Sequence, residues 1–169
     1  MYDSKYQISD TNLRDMFAKL IASSIDNRHN KNQSPRFSSI LRQLSPSDAI
    51  LLKKLSFNTE LPIPTFIYTI NTGAKNEYPI FDHYIGINYS KKDVIINEAG
   101  LDTLKALGII ELKDNFEIPE EHLQKFYKEI KCSDYPLKSE NRNIEKDISI
   151  VNGIIKLTNF GRNFIKAII

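Results

Sequence analysis

The amino-acid sequence predicts an α+β protein, mainly α. An N-terminal helical bundle precedes a winged-helix-like C-terminal part made of a helix, short strands, a β-hairpin and a closing helix. Three observations carry this prediction. Between Leu13 and Leu55 apolar residues recur at helical spacing, and two Ser-Pro pairs open new segments. From Phe57 to Ser90 prolines interrupt, and β-branched and aromatic residues cluster as strands require. Near the C-terminus Asn152-Gly153 stands between apolar residues, followed by an amphipathic stretch that Thr158 opens.

Taken in order, Met1 to Ser9 is polar and reads as a short mobile lead, leaving residues 10–169 as one domain. Its first section, residues 10–56, holds three helices. In the first, Leu13, Phe17, Leu20, Ile21 and Ser24 share a face, with Arg14, Asp15, Lys19 and Asn27 turned to solvent. Ser34-Pro35 opens the second, a cap followed by a proline whose missing N–H costs nothing there. Ser45-Pro46 opens the third, and Asp48 complements the helix dipole from the first turn.

Residues 57–90 form a small strand-and-loop segment, with Thr65 to Ile70 its clearest strand and Ile85 to Tyr89 a weaker one. Residues 91–169 make the winged-helix-like part. Lys91 to Leu107 reads as a helix with Val94, Ile95, Leu101 and Leu104 on its apolar stripe, ended by Gly108 as a left-handed cap. Residues 109–112 and 116–118 read as strands around an Asp114-Asn115 turn. Pro119-Glu120-Glu121 then opens a helix with Leu123, Phe126, Tyr127 and Ile130 inward. Lys138 to Lys146 reads as a mobile loop. Asn152-Gly153 is a strong short hairpin signal, because both residue types tolerate positive φ. Phe160, Phe164, Ile165 and Ile168 form the buried side of the closing helix.

Several of these residues together resemble a known family. The helix LRDMFAKLIASSID, the run SPRFSSILRQLSPSDAILLKKL, the turn LKALGII and the closing LTNFGRNFIKAII are similar to the abortive infection alpha (Abi-alpha) family, bacterial domains associated with phage resistance. The residues that carry the resemblance include Phe17, Ala22, Asp26, Phe37, Leu41, Pro46 and Asp48, and then Leu104, Gly108, Thr158, Phe160 and Gly161. The resemblance is good at both ends of the chain and poor from about Phe57 to Tyr89. Most of its residues are apolar or capping types. It therefore implies a fold and a role in phage defence, and it supplies no catalytic residue.

Composition narrows the function classes. The chain has 169 residues, 41% of them hydrophobic, enough for one sizeable core. A net charge of +2 is too small to point to nucleic acid or membrane by itself. Cys132 is a single cysteine, which suits a reducing cytoplasm. No apolar run approaches the roughly 18 residues that crossing a bilayer requires. The expected location is cytoplasmic, without membrane contact.

Candidate chemistry is sparse. His29, His83 and His122 are scattered, and no metal motif or glycine-rich phosphate loop occurs, so neither a metal nor another cofactor is expected. Asp82-His83 is an acid–base pair in principle, though a surface turn accounts for it better. Glu120-Glu121 suits the first turn of a helix better than hydrolysis, because adjacent helical residues point apart. Tyr68, Tyr78, Tyr84 and Tyr89 line either a pocket, an interface or an ordinary sheet core.

One basic cluster stands out. No acidic residue lies between Asp26 and Asp48, while Arg28, Lys31, Arg36 and Arg42 all do, with His29 beside them. In a helical hairpin this set forms a basic rim suited to an acidic partner or to nucleic acid. The leading expectation is a non-enzymatic interaction module with a protein or nucleic-acid partner, self-association into a homo-oligomer being open. The alternative is a nucleic-acid-binding regulator of winged-helix type. Against the alternative, the polar positions of the expected recognition helix (Asp93, Asn97, Glu98, Asp102, Lys105) are more acidic than basic.

Overall fold

The computed structural model describes residues 10–25, 34–58, 61–71, 77–79, 82–117, 119, 121–131, 133–134 and 148–169. Within them run α1 (Thr11–Ile25), α2 (Arg36–Leu41), α3 (Pro46–Leu55), β1 (Ile63–Asn71), β2 (Glu77–Pro79), β3 (Tyr84–Gly86), β4 (Val94–Ile96), α4 (Glu98–Ala106), β5 (Ile110–Asp114), α5 (Glu121–Glu129), β6 (Ile148–Leu157) and α6 (Asn159–Ile168). The protein is α+β. Its chain divides into two compact units: the first comprises Met1–Leu61, Ala99–Glu111 and Lys156–Ile169, the second Pro62–Glu98 and Leu112–Ile155.

The first unit is mostly helical, and local chemistry fixes its helix ends. At α3 the Ser45 hydroxyl accepts from the Asp48 N–H at 3.2 Å, while the Asp48 carboxylate accepts from the Ser45 N–H at 2.8 Å. This reciprocal capping box satisfies two donors that a helix start otherwise leaves unpaired. It also explains why Asp48, a charged residue, is buried. At the far end of α4, Gly108 takes φ +74°, the Gly108 N–H reaches the Lys105 carbonyl, and the Ile109 N–H reaches the Leu104 carbonyl, both at 2.9 Å. That pair of bonds is the Schellman closure, for which glycine carries the least strain. The Thr158 hydroxyl accepts from the Gly161 N–H at 2.8 Å to start α6 and donates to the Gly108 carbonyl at 2.7 Å.

Packing follows from these anchors. α1 lies against α2, α3 and α6. Its Ser23 hydroxyl reaches the Ala167 carbonyl at 3.2 Å, and the Lys19 ammonium donates to the Ile169 carbonyl. Phe37 of α2 is fully buried, with ring centroids 5.5 Å from Phe160 and 5.3 Å from Phe164. Leu13, Leu41, Leu52, Leu104 and Ile168 are among the fully buried aliphatics of this unit.

The second unit is built on a six-stranded sheet in the order β4-β3-β1-β6-β5, with β2 also paired to β1. β1 and β6 form the long antiparallel pair, in register from Ile63↔Ile155 to Ile70↔Ile148. α5 packs on β1. There Phe66, Tyr68, Phe126, Tyr127, Ile130 and Ile154 form one buried cluster, and Phe66 stacks on Tyr84 at 4.8 Å. The Tyr127 hydroxyl donates to the Gly153 carbonyl at 2.7 Å.

Four expectations are corrected here. Asn152-Gly153 does not turn: β6 runs straight through it, so the hairpin that was to form the wing is absent. The reason is spatial. A Cβ at Gly153 would sit 2.8 Å from the Lys113 carbonyl and 2.9 Å from Thr65 Oγ1, so glycine lets neighbouring strands close in at this point. Residues 91–97 are not α-helical: Lys91–Asp93 make a single 3₁₀ turn. The β-branched run Val94-Ile95-Ile96 pairs with β3 instead, and α4 starts only at Glu98. Phe116 and Glu117 are not a strand, because Asn115 turns the chain at φ +55° and the Phe116 N–H bonds the Asn152 carbonyl at 3.3 Å. Finally, α1 buries Leu13 and Met16, while Phe17 and Leu20 are half-buried and Ile21 remains 62% exposed.

Two glycines separate crowding from backbone strain. A Cβ at Gly161 would meet the Ile109 carbonyl oxygen at 2.0 Å, and that carbonyl is fixed by the Thr158 N–H. Gly108 has open space but a left-handed φ. Urea unfolding is expected to show Gly161→Ala as the costlier change, about 3 kcal/mol against about 1 kcal/mol for Gly108→Ala. In the same series, Ser45→Ala is expected to cost about 1 kcal/mol through the lost cap.

Candidate functional site

The basic cluster falls on the first unit. Arg28, Lys31 and His29 lie outside the described residues, so the geometry concerns Arg36 and Arg42. Ser34 prepares this region: its carbonyl accepts from the Phe37 N–H at 3.0 Å and its hydroxyl from the Arg36 N–H at 3.2 Å. Pro35 adopts helical angles and so leads directly into α2. Arg36 is exposed, with its guanidinium carbon 5.3 Å from the centre of the Phe160 ring, a cation–π contact that holds it on the surface of the unit. Arg42 follows the end of α2, where its backbone N–H bonds the Ser38 carbonyl, and its side chain is exposed.

Between α1 and α2 lies a cavity of about 540 Å³. Phe17, Leu20 and Ile21 supply one wall and Phe37 lies opposite; Ser24, Ser34 and Ser38 add hydroxyls, and Arg42 adds the charge. The size is within the usual range for a small-ligand pocket, and the lining has the usual make-up of apolar side chains with a few polar groups. Sequence reasoning found Arg36 and Arg42 through the missing acids. It missed the cavity because it turned Phe17, Leu20 and Ile21 into the core.

The other chemical candidates resolve into structure. His83 is only 12% exposed at its side chain and is held on both ring nitrogens: Nδ1 lies 2.9 Å from Glu98 Oε2 and Nε2 lies 3.2 Å from Asp114 Oδ1. The His83 backbone N–H also donates to Glu98, at 2.8 Å. Its partners are therefore Glu98 and Asp114, not Asp82. With both nitrogens facing carboxylates, the imidazole ties three segments of the second unit together and presents no free nitrogen for proton transfer or metal ligation. Groups of three or more metal-ligating side chains are absent among the described residues.

The tyrosines also pack. Tyr68 is buried, Tyr89 donates to the Pro62 carbonyl at 3.1 Å, and Tyr84 lies flat on Phe66. Burial, and then the charge of nearby Asp82, push the Tyr84 phenol above its ordinary range. The side chains of Tyr78 and His122, and all of Glu120 and Cys132, lie outside the described residues.

The profile of the abortive infection alpha family matches residues 1–168. The chain belongs to that family. The match runs through the segment from Phe57 to Tyr89 and so takes in the sheet as well as the helices. Comparison with curated proteins and with solved structures gives no match. No helix among the described residues is long and apolar enough to cross a membrane.

Two substitutions test the assignments in the second unit. His83→Phe removes both ring hydrogen bonds, to Glu98 and to Asp114, while the backbone bond to Glu98 remains, and thermal melting is expected to register a loss of about 1–2 kcal/mol. Asp82→Asn removes a negative charge beside Tyr84, so ultraviolet titration is expected to show that phenol ionising at lower pH than in the parent, with little change in stability.

Proposed function

We propose that this abortive infection alpha protein is a non-enzymatic recognition module of bacterial phage defence. It responds to infection by binding an acidic partner through the rim formed by Arg28, Lys31, Arg36 and Arg42. The observation that carries this reading is the coupling of a family match over residues 1–168 with an exposed pair, Arg36 at the start of α2 and Arg42 just past its end. The support is chemical. Guanidinium groups recognise carboxylate and phosphate with paired hydrogen bonds, and the stretch between Asp26 and Asp48 contains no acid. The side chains best placed for acid–base work, His83, Glu98 and Asp114, are spent on one another.

A phage challenge tests this directly. Cells carrying the protein are expected to show fewer plaques and lower survival of infected hosts than cells without it. Arg36→Glu with Arg42→Glu is expected to abolish both effects while the purified variant melts within a few degrees of the parent. Plaquing that is unchanged by the protein across a broad phage panel contradicts the defence role. Protection that survives the double charge reversal contradicts the rim.

A further inference from the structure

One face of the first unit is apolar and open to solvent. Along α1, Arg14, Ala18, Ile21 and Ile25 recur at helical spacing and are all exposed, Ile21 at 62% and Ile25 at 76%. Beside this ridge lies the 540 Å³ cavity, lined by Phe17 and Leu20 of α1 and by Phe37 of α2. Core packing accounts for Leu13 and Met16 of the same helix, which are buried. It does not account for the ridge or for the trough beside it. Contiguous apolar surface of this kind marks a contact site, since a bound apolar body takes it out of water.

Charge decides what covers the face. Arg14 opens the ridge, and Arg36 stands at the start of α2, directly after the lining residues Ser34 and Pro35. Both arginines are exposed, and neither makes an ion pair among the described residues; the Arg36 guanidinium rests on the Phe160 ring. Asp15, the one acid of α1, lies about 100° round the helix from Arg14. Ser24, which shares the cavity wall with Ser34 and Pro35, is about 15 Å along α1 from Arg14. The apolar face is thus bracketed by positive charge at both ends.

That bracket separates the occupants. A second copy of the same face meets like charge whichever way it lies. Parallel, Arg14 opposes Arg14; antiparallel, Arg14 opposes the Arg36 end. An anionic lipid surface matches the arginines but spreads flat, where this face is a ridge beside a trough. A helix with apolar residues on one side and acids towards both ends matches ridge, trough and charge together. Its side chains repeat at the period of α1, so the two sets interdigitate.

We propose that the face made by α1 and the start of α2 receives an amphipathic helix of a protein partner. Its apolar side chains lie on Ile21 and Ile25 and enter the cavity, and its acidic residues meet Arg14 and Arg36. The inference deepens the recognition reading by naming the partner's chemistry, and it rests on that reading for its biological meaning.

The test uses the purified full chain and a synthetic peptide of about 16 residues, long enough to form a helix, with leucines on one side and glutamates flanking them. A twin carries lysine in place of every glutamate, and a third peptide carries a central proline that breaks the helix. Fluorescence anisotropy is expected to show the glutamate peptide binding about tenfold or more tightly than either. Arg14→Gln with Arg36→Gln is expected to lower that affinity about tenfold. Ile21→Ser with Ile25→Ser, at exposed positions that folding does not need, is expected to lower it at least as much. Equal affinity for the three peptides, or variants that bind the glutamate peptide like the parent, overturn the proposal. So does a dimer in sedimentation equilibrium that Ile21→Ser with Ile25→Ser dissolves, which gives the face to a second copy. Tighter binding to phosphatidylglycerol vesicles than to the peptide gives it to a membrane and overturns the proposal equally. In the phage challenge, protection that is lost on reversing Arg36 and Arg42 but kept by the Ile21 and Ile25 double variant sinks the helix face and spares the rim. Peptide binding as expected, without any protection by the parent protein, sinks the defence reading alone.

Discussion

The antiparallel pair of β1 and β6 is the constraint on which the second unit depends. It joins residues far apart in sequence, 92 positions at Ile63↔Ile155 and 78 at Ile70↔Ile148. Eight consecutive register positions fix which side chains share a face, because a slip of one residue turns every side chain over. With that register set, Phe66, Tyr68 and Ile154 meet Phe126, Tyr127 and Ile130. Gly153 is the point of closest approach. A larger residue there would drive the strand away from Thr65 and from the Lys113 carbonyl. Thr65 marks the tightness of the fit: its hydroxyl is fully buried and finds no hydrogen-bond partner among the described residues.

What the sequence made legible was whatever local chemistry determines. Ser45 with Asp48, Thr158 and Gly108 each act within a few residues of themselves, and each caps a helix as its residue type predicts. Thr65 to Ile70 is a strand for equally local reasons, being β-branched and aromatic throughout. Asn152-Gly153 failed because the same pair that permits a turn also permits close strand packing. Only the partner strand, distant in sequence, decides between the two. Val94-Ile95-Ile96 failed similarly. Its apolar spacing fits a helix, but pairing with Tyr84–Gly86 outweighs it.

The candidate site was half legible. A stretch without acids between Asp26 and Asp48 is visible in one dimension, and Arg36 and Arg42 are exposed as such a stretch suggests. The cavity beside them was not visible, because an apolar face reads the same whether it is buried in a core or kept for a ligand. The His83 arrangement was hidden too. Glu98 lies fifteen residues from it and Asp114 thirty-one, and no short motif links the three. The functional reading follows from how these groups are placed: His83, Glu98 and Asp114 satisfy one another, while Arg36 and Arg42 are exposed on the first unit.

Continuity of β6 through Asn152-Gly153 is what the whole register of the sheet rests on. Cross-strand nuclear Overhauser effects measure this directly. The described fold predicts contacts of Thr65 with Gly153 and of Tyr68 with Ile150, with Asn152 and Gly153 in the middle of a paired strand. Contacts of Val151 with Ile154 across a two-residue turn, without those from Thr65 and Tyr68, would contradict it.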